Sequence, residues 1–224
     1  MTQQIPEKLQ PLIGRQPSNF SCSELKHDAS RRRYVRLHGL RIKKLRLSGL
    51  RRSFIGVTTP DIHRDLIMFR RIGLRLRKWG FSVPAIYSTD LENGAALMED
   101  FGDLTFARAL ELPVTGRQAV LYQLALQVLI KLQLQSMHPK EQFWLTRNLP
   151  FYHHQSLADE ATRFIDGYWP HVMGQPADPG LRTEWHAIWN DLYANMESLQ
   201  PVMVLRDYHV ENLMLLCDRS DIAA

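Results

Sequence analysis

Short alternations of hydrophobic and polar residues mark the first third of the chain. Residues 34–37 place Tyr, Val and Leu among arginines in the pattern of a strand. Apolar residues over 62–76 recur three or four positions apart, which predicts an amphipathic helix that starts after a cap at Asp61 and runs up to Gly80. Between these segments, residues 41–55 fit a strand and a helix equally well, so the pattern leaves both open.

The pair Asn93-Gly94 is the strongest hairpin signal in the chain. It is flanked by two short apolar stretches, residues 85–88 and 95–98, and this combination predicts two antiparallel strands joined by a tight turn. With the strand and helix before it, the hairpin predicts a small α+β lobe over residues 20–100, built from hairpins and one crossing helix.

The second half of the chain changes to helical spacing. Thr115 is placed to cap a long helix with an apolar stripe over residues 120–132, and further helices are predicted over 157–169 and 181–199. The apolar run Val202–Leu205 is typical of a buried strand. The layout is therefore an α+β lobe followed by a mainly helical lobe.

Charge is distributed unevenly along the 224 residues. The formal net charge is +5, yet residues 31–80 hold 16 Lys or Arg and only two Asp. Such a block is typical of a nucleic-acid patch, a phosphate-binding surface or a solvated helix face, and composition alone leaves all three open. No nucleic-acid fold pattern accompanies the block, so a nucleic-acid partner is not expected.

Three features bear on location. No run of 18 apolar residues occurs, so a membrane-spanning helix is not expected. The first twenty residues contain Glu7, Lys8 and Arg15 and lack the apolar centre of a secretory signal. Cys22 and Cys217 lie far apart and match no metal or redox spacing. Together they predict a protein of the reducing cytoplasm. The oligomeric state is left open.

The candidate chemistry lies near the end of the chain, in the stretch Leu205-Arg206-Asp207-Tyr208-His209-Val210-Glu211-Asn212-Leu213-Met214. Phosphoryl transfer needs a carboxylate that accepts the proton of the attacking hydroxyl and an amide oxygen that holds magnesium. Asp207 and Asn212, five positions apart, supply these two types. The protein-kinase catalytic loop has the same spacing, although Leu205 stands here where the kinases have histidine.

This stretch resembles the catalytic loop of the aminoglycoside phosphotransferase family, and its Arg-Asp-Tyr-His variant resembles the branch of bacterial cell-wall amino-sugar kinases. Two further stretches fit that branch. Residues 28–37 are similar to its first hairpin, which covers the nucleotide phosphates, and residues 97–105 are similar to its interlobe hinge. The resemblance covers roughly residues 20–224. It implies a protein-kinase-like α+β fold with a small β-rich N-terminal lobe and a mainly helical, incomplete C-terminal lobe.

The resemblance also implies roles for individual residues. Asp207 is expected to be the catalytic base and Asn212 a magnesium ligand. Ser30 and its neighbouring amides, with Arg32 or Arg33, are expected near the phosphates of ATP. Met98, Glu99 and Asp100 are expected to line the adenine site, chiefly through their backbone. His209 either orients the loop or meets a sugar hydroxyl, and the sequence leaves both open.

The chain departs from the family pattern in two places. The family's second magnesium ligand is an aspartate beyond the catalytic loop, and this chain stops before that point, so the form is expected to be C-terminally truncated and impaired. Residues 40–59 are also far more basic than the branch pattern. The expected division is an extension over 1–19, a nucleotide-binding lobe over 20–100 and a partial helical lobe over 101–224.

The expected function is ATP- and Mg²⁺-dependent transfer of the γ-phosphate to a hydroxyl of a small acceptor, and the expected acceptor is a cell-wall amino sugar. The alternative is a non-catalytic nucleotide-binding or interaction protein, a degenerate relative that keeps the hinge and not the metal site. The expected partners are therefore a nucleotide and a sugar.

Overall fold

A computed structural model describes residues 4–13, 20–25, 32–40, 53–60, 64–196 and 199–216. The described residues form two compact units. The first is built from residues up to Thr115 together with those from Tyr208 onward, and the second comprises Gly116–Asp207.

The first unit is centred on one antiparallel sheet with the spatial strand order β1-β2-β3-β5-β4. Its strands are β1 (Ser21–Glu24), β2 (Arg33–His38), β3 (Ser53–Thr58), β4 (Ile86–Asp90) and β5 (Ala95–Glu99). Its helical segments are a 3₁₀ turn (Glu7–Leu9), α1 (Gln10–Ile13), α2 (Arg64–Lys78) and α3 (Phe106–Glu111).

The two faces of this sheet are covered by different helical segments, because successive side chains of a strand point to opposite sides. On one face the N-terminal turns bury Leu9 and Ile13 against apolar side chains of β1, β2, β3 and β5. On the other face Leu66 and Phe69 of α2 pack with side chains of β3 and β5. The segment expected as an N-terminal extension therefore supplies part of the core, and Leu9 is fully buried.

Gly56 of β3 lies where the side chain of Leu9 packs closely against the sheet. A Cβ atom at this position would lie 2.5 Å from Cδ1 of Leu9 and 3.0 Å from Cγ2 of Val35. Only a glycine leaves room for the buried Leu9 side chain at this distance.

Most expectations for this unit are confirmed. Residues 34–37 lie in β2, and the crossing helix is α2; the proposed cap at Asp61 lies outside the described residues. The Asn93-Gly94 hairpin joins β4 to β5, with Gly94 at φ 66° and the Asp90 carboxylate accepting from the Asn93 backbone at 3.1 Å. Of the ambiguous stretch 41–55, the last three residues are in β3 and the rest is not described.

The second unit is helical. It contains α4 (Arg117–Met137), α5 (Pro139–Asn148), α6 (His154–Arg163), a π turn (Phe164–Tyr168), α7 (Trp169–Met173) and α8 (Pro179–Met196). The three predicted helices are present, but the cap at Thr115 is wrong: the N-cap of α4 is Gly116, whose φ of 78° suits glycine. Within the described part of the chain, no helix combines the length and the apolar character needed to cross a bilayer.

A row of aromatic side chains holds the end of this unit together. Phe164 stacks on Trp185 with ring centroids 4.9 Å apart, Trp185 meets Trp189 at 5.8 Å, and Trp189 meets Tyr193 at 5.5 Å. The Tyr193 hydroxyl donates to the Leu157 carbonyl at 2.8 Å, which fastens α8 to α6. Trp185 and Trp189 therefore pack within the helical unit.

The strand predicted at Val202–Leu205 is wrong. No ladder forms along this segment within the described residues. Its anchor is a side chain instead: Nε2 of Gln142 donates to the carbonyls of Ser136 and Pro201, at 2.6 Å each. Met203 is buried while Val204 is 56% exposed, so the apolar run reflects one buried residue rather than a strand inside a sheet.

Candidate functional site

The loop that carries His209 and Asn212 is fixed to the start of α3. The amides of Phe106 and Ala107 donate to the carbonyls of Leu213 and Val210, at 2.8 and 3.0 Å. The first amides of a helix have no partner inside it, so these carbonyls fill a requirement that every helix has. The next amide, of Arg108, is capped by the Thr105 hydroxyl at 3.2 Å.

A backbone contact extends this attachment. The amide of Leu215 donates to the Leu104 carbonyl at 2.9 Å, and Thr105 forms an isolated antiparallel bridge with Met214. The segment between residues 208 and 216 thus belongs structurally with residues 104–107, and its loop conformation is set from that side.

Within the loop, Asn212 lies against His209. The Asn212 amide nitrogen is 3.0 Å from Nε2 of His209, and the Asn212 backbone N–H donates to the His209 carbonyl at 2.9 Å. The Glu211 backbone N–H approaches Nδ1 of the same ring at 3.4 Å. The expected magnesium ligand and the expected substrate residue therefore form one side-chain pair. In the same loop, burial raises the pKa of Tyr208 above the usual value for tyrosine.

Asp207 ends the helical unit and follows a strained residue. Among the described residues, Arg206 is the one non-glycine with positive φ, at 62°. The Asp207 amide donates to the Leu205 carbonyl at 2.7 Å, which closes the turn, and the Asp207 side chain is exposed. A non-glycine residue held in the left-handed region costs about 1 to 3 kcal/mol and persists only where its surroundings enforce it.

Neighbouring side chains contact Arg206 at this turn. The Arg206 guanidinium donates to the Glu160 carboxylate at 2.7 Å and lies 5.4 Å from the centre of the Tyr152 ring. The Tyr152 hydroxyl bonds to Glu160 as well, which lowers the pKa of Glu160 and raises that of Tyr152. No sequence pattern indicated this cluster, because Arg206 lies about 50 positions after Tyr152 and Glu160 in the chain.

The hinge segment, residues 97–105, begins within β5 and continues past the end of that strand. Met98 is buried on the face covered by α2. The Glu99 side chain is 2% exposed; it accepts from the Ala85 amide at 2.9 Å and lies 3.7 Å from the Arg77 guanidinium. The Glu99 carboxylate therefore has a structural role at the end of β5, where the Glu99 backbone N–H also donates to the Ala85 carbonyl at 2.8 Å.

Asp100 is held more tightly still. Its carboxylate faces the guanidinium of Arg36 on β2, with Nε 2.7 Å from Oδ2, and it also accepts from the Gly102 amide at 2.9 Å. Burial opposes ionisation of Asp100, but the hydrogen bonds from Ser53, the Gly102 amide and Arg36 outweigh it and lower the pKa of the carboxyl.

The residues expected at the phosphates are only partly described, and Ser30 lies outside the described residues. Arg32 lies with its guanidinium 5.3 Å from the centre of the Phe69 ring on α2. Arg33, the next residue, pairs with Glu24 across the β1–β2 hairpin at 2.8 Å, and its side chain is 62% exposed. Both arginines thus have partners within the first unit.

Comparison with known proteins gives a consistent answer at modest identity. No protein-family model matches the chain. The chain is 31% identical over 149 residues to N-acetylmuramate/N-acetylglucosamine kinase of Caulobacter vibrioides, covering 66% of this chain and 40% of the relative.

Proteins with the same name in two pseudomonads also match. Identity is 30% over 188 residues for Pseudomonas aeruginosa, covering 84% of this chain and 49% of the relative. It is 27% over 194 residues for Pseudomonas putida, covering 87% and 51%. The chain spans about half the length of the curated relatives it matches. These similarities support the amino-sugar kinase branch that the three sequence motifs indicated.

Proposed function

We propose that this chain is an ATP-dependent phosphotransferase that moves the γ-phosphate to a hydroxyl of a sugar, and that the acceptor is a cell-wall amino sugar. The observation that carries the proposal is the strained turn at Arg206, which presents Asp207 immediately before the loop of His209 and Asn212. Strain of this kind clusters at active sites. The names of the relatives, all sugar kinases, support the acceptor class.

In this proposal Asp207 is the general base. Its exposed carboxylate accepts the proton of the acceptor hydroxyl as the sugar oxygen forms its bond to the γ-phosphorus. The bond between the γ-phosphorus and the β–γ bridging oxygen breaks, and that oxygen leaves on ADP. The turn at Arg206 fixes where the carboxylate stands, which is the main contribution a protein makes to a loose phosphoryl transfer.

Magnesium fits the donor groups of the loop. In the described part of the chain, no three His, Cys, Asp or Glu gather as a metal site. Mg²⁺ does not need such a cage, because it keeps several waters and binds through one or two protein oxygens together with phosphates. The Asn212 amide oxygen is suited to that role, and the metal would neutralise charge on the phosphates. His209 lies against Asn212, which supports orientation of the loop over contact with the sugar.

The nucleotide is assigned to the first unit. The backbone of Met98, Glu99 and Asp100 would hold the adenine, and this is supported by the structural use of both acidic side chains. Arg33 would approach the phosphates together with Ser30 and Arg32. Its exposed pair with Glu24 is worth less than about 1 kcal/mol, so a phosphate can replace the glutamate.

The test is transfer of labelled γ-phosphate from ATP to N-acetylmuramate and N-acetylglucosamine, with glucose as a comparison. Asp207→Asn keeps the size of the side chain and removes the base, so turnover is expected to fall by about 10² to 10⁴. Asp191→Asn, on an exposed position of α8, is the matched control and is expected to leave turnover unchanged. Circular dichroism checks that both variants fold.

Equal turnover of Asp207→Asn and the parent chain would refute the role of Asp207. ATP binding in calorimetry without transfer to any of the sugars would favour the non-catalytic alternative. Transfer to glucose as efficient as to the amino sugars would support the kinase activity but contradict the assignment of an amino sugar as the acceptor.

A further inference from the structure

One arginine of the sheet gathers most of the polar groups of the hinge segment. Arg36 lies on β2, with Nε 2.7 Å from Oδ2 of Asp100 and Nη2 3.1 Å from Oδ1 of the same residue. Nη2 also donates to the Gly102 carbonyl at 3.0 Å. Nη1 donates to both oxygens of Asp103, at 2.8 and 2.9 Å. One planar guanidinium therefore engages two carboxylates and a backbone carbonyl at once.

The centre of this cluster is removed from water. The Arg36 side chain is 13% exposed and the Asp100 side chain 4%, whereas Asp103 is 58% exposed. Charged hydrogen bonds are strongest where little water competes for the groups. Burial by itself would lower the pKa of Arg36, but the bonds to Asp103 and Asp100 raise it, so the guanidinium stays charged. The pair with Asp100 is the buried anchor, and Asp103 extends it to the surface.

The contacts determine the path of the chain after β5. Gly102 has φ 83°, so the chain turns sharply between the two carboxylates. Asp100 accepts from the Gly102 N–H while Arg36 donates to the Gly102 carbonyl, so the peptide groups on both sides of Gly102 are held. Each partner is 64 to 67 positions away from Arg36 in sequence. The turn is therefore fixed both by its own Asp100 and by Arg36 on a strand far away in the chain.

The register of the sheet links this arginine to the expected adenine position. Arg36 stands opposite Ile55 on β3, and Ile55 stands opposite Met98 on β5. Side chains at paired positions point to the same face. Arg36 and Met98 consequently lie on one row across three strands, and the rigid sheet transmits the position of the first to the backbone of the second.

We propose that Arg36 is a positioning residue, which clamps Asp100, Gly102 and Asp103 and thereby holds the hinge backbone in the conformation that receives the adenine ring. The inference rests on the proposed function, in which this backbone binds ATP. It goes further by assigning nucleotide affinity to a side chain that does not touch the nucleotide. A lysine could not replace it, since an ammonium group is a single charged point and cannot pair with two carboxylates and a carbonyl in fixed geometry.

The experiment compares Arg36→Lys with Arg70→Lys, a control at an exposed position of α2. Both changes preserve charge. We expect Arg36→Lys to raise the KM for ATP about tenfold, while kcat at saturating ATP and the KM for the sugar stay within about twofold. Arg70→Lys is expected to leave all three unchanged. Affinity for adenosine, measured by competition with a fluorescent ATP analogue, is expected to fall by the same factor as affinity for ATP.

Adenosine affinity distinguishes an effect of Arg36 on the adenine site from a direct effect of its charge on the phosphates of ATP. If Arg36→Lys weakens ATP but not adenosine, the arginine acts on the phosphates and the inference is overturned. It is also overturned if the variant loses thermal stability with an unchanged KM for ATP, since Arg36 is then only structural. If the parent chain binds neither ATP nor adenosine, the proposed function itself fails, so the two failures are distinguishable.

A second variant covers the case in which Arg36→Lys does not fold. Asp103→Asn removes the charge of the exposed partner and leaves the buried pair with Asp100 intact. A rise of about threefold in the KM for ATP is expected, with matching loss of adenosine affinity. Unchanged affinity for both ligands in this folded variant would equally overturn the inference.

Discussion

The guanidinium of Arg206 lies 2.7 Å from the carboxylate of Glu160, and the Arg206 backbone has a φ of 62° that is unfavourable for any residue but glycine. The side chain thus supplies contacts at the residue where the backbone is strained. The stability of the turn before Asp207 therefore has two contributions, one from the contacts of the arginine side chain and one from the backbone conformation. Substitutions at Arg206 can separate them.

Two substitutions of Arg206 separate these contributions. Arg206→Ala and Arg206→Gly both remove the contacts with Glu160 and Tyr152, but only glycine adopts positive φ without strain. The glycine variant is therefore expected to be the more stable by about 1 kcal/mol in urea unfolding, although its greater freedom in the unfolded state reduces the gain. Equal stability of the two variants would show that the turn relaxes.

Gly56 provides a test of packing against the N-terminal turns. Gly56→Ala would place a methyl group 2.5 Å from Leu9, and overpacking of this kind is expected to lower the free energy of unfolding by about 1 to 3 kcal/mol. Gly73→Ala is the control, since its Cβ would meet only Ile86, at 3.9 Å, and alanine favours the α2 helix by about 1 kcal/mol. The two substitutions should shift the urea midpoint in opposite directions; a shift of the same sign would contradict the placement of Leu9.

The Asp100 carboxyl is expected to make stability depend on acid pH. Its pKa is lowered in the folded chain, so the ionised form stabilises the fold above the ordinary aspartate pKa of about 3.9. That contribution is lost as pH falls through the folded pKa, which lies lower. Asp100→Asn lacks the ionised form and is expected to be about 2 kcal/mol less stable at pH 7.

Unfolding by urea, measured from pH 7 down to about pH 3, checks this expectation. The difference between the parent chain and Asp100→Asn should shrink as pH falls below about 4. A difference that stays constant over the whole range would show that Asp100 is not ionised against Arg36.

In the helical unit, Tyr193→Phe removes one hydroxyl and keeps the ring. The Leu157 carbonyl loses its donor, so the free energy of unfolding is expected to fall by about 1 kcal/mol. The tryptophan fluorescence of the folded variant should remain native-like, because phenylalanine keeps the ring that lies 5.5 Å from Trp189. A shifted native emission would mean that the hydroxyl positions the aromatic row and not only α6.

Local patterns predicted the elements whose causes are local. Asn93-Gly94 predicted the β4–β5 hairpin, and the spacing of apolar residues predicted α2. Both signals are local, because a tight turn and a helical repeat each depend on residues a few positions apart. The predicted cap of α4 was wrong by one residue. The helix starts after Gly116, whose positive φ suits glycine, and no side chain caps it. The strand at Val202–Leu205 was wrong because an apolar run does not show whether a second strand lies beside it.

The candidate site also contains features with local causes, which the sequence predicted, and features with distant causes, which it did not. The types and spacing of Asp207 and Asn212 were visible in the sequence, since both lie in one short stretch. The clamp of Arg36 on the hinge was not, because its partners are far along the chain and an arginine in a basic block carries no distinguishing signal. The positive φ of Arg206 was equally hidden, because arginine seldom adopts it, and the contacts with Glu160 and Tyr152 lie about 50 positions away in the chain.

The hydrogen bonds from Phe106 and Ala107 to Val210 and Leu213 have a consequence for how the chain is made. A ribosome produces α3 well before it produces the carbonyls that complete the first turn of this helix, and the entire helical unit is synthesised in between. The first unit therefore cannot finish folding in the order in which it emerges. The hydrogen bonds that complete the first turn of α3 can form only once residues 210–213 have been synthesised. A nascent chain paused inside the helical unit would therefore expose the amides of that turn to water.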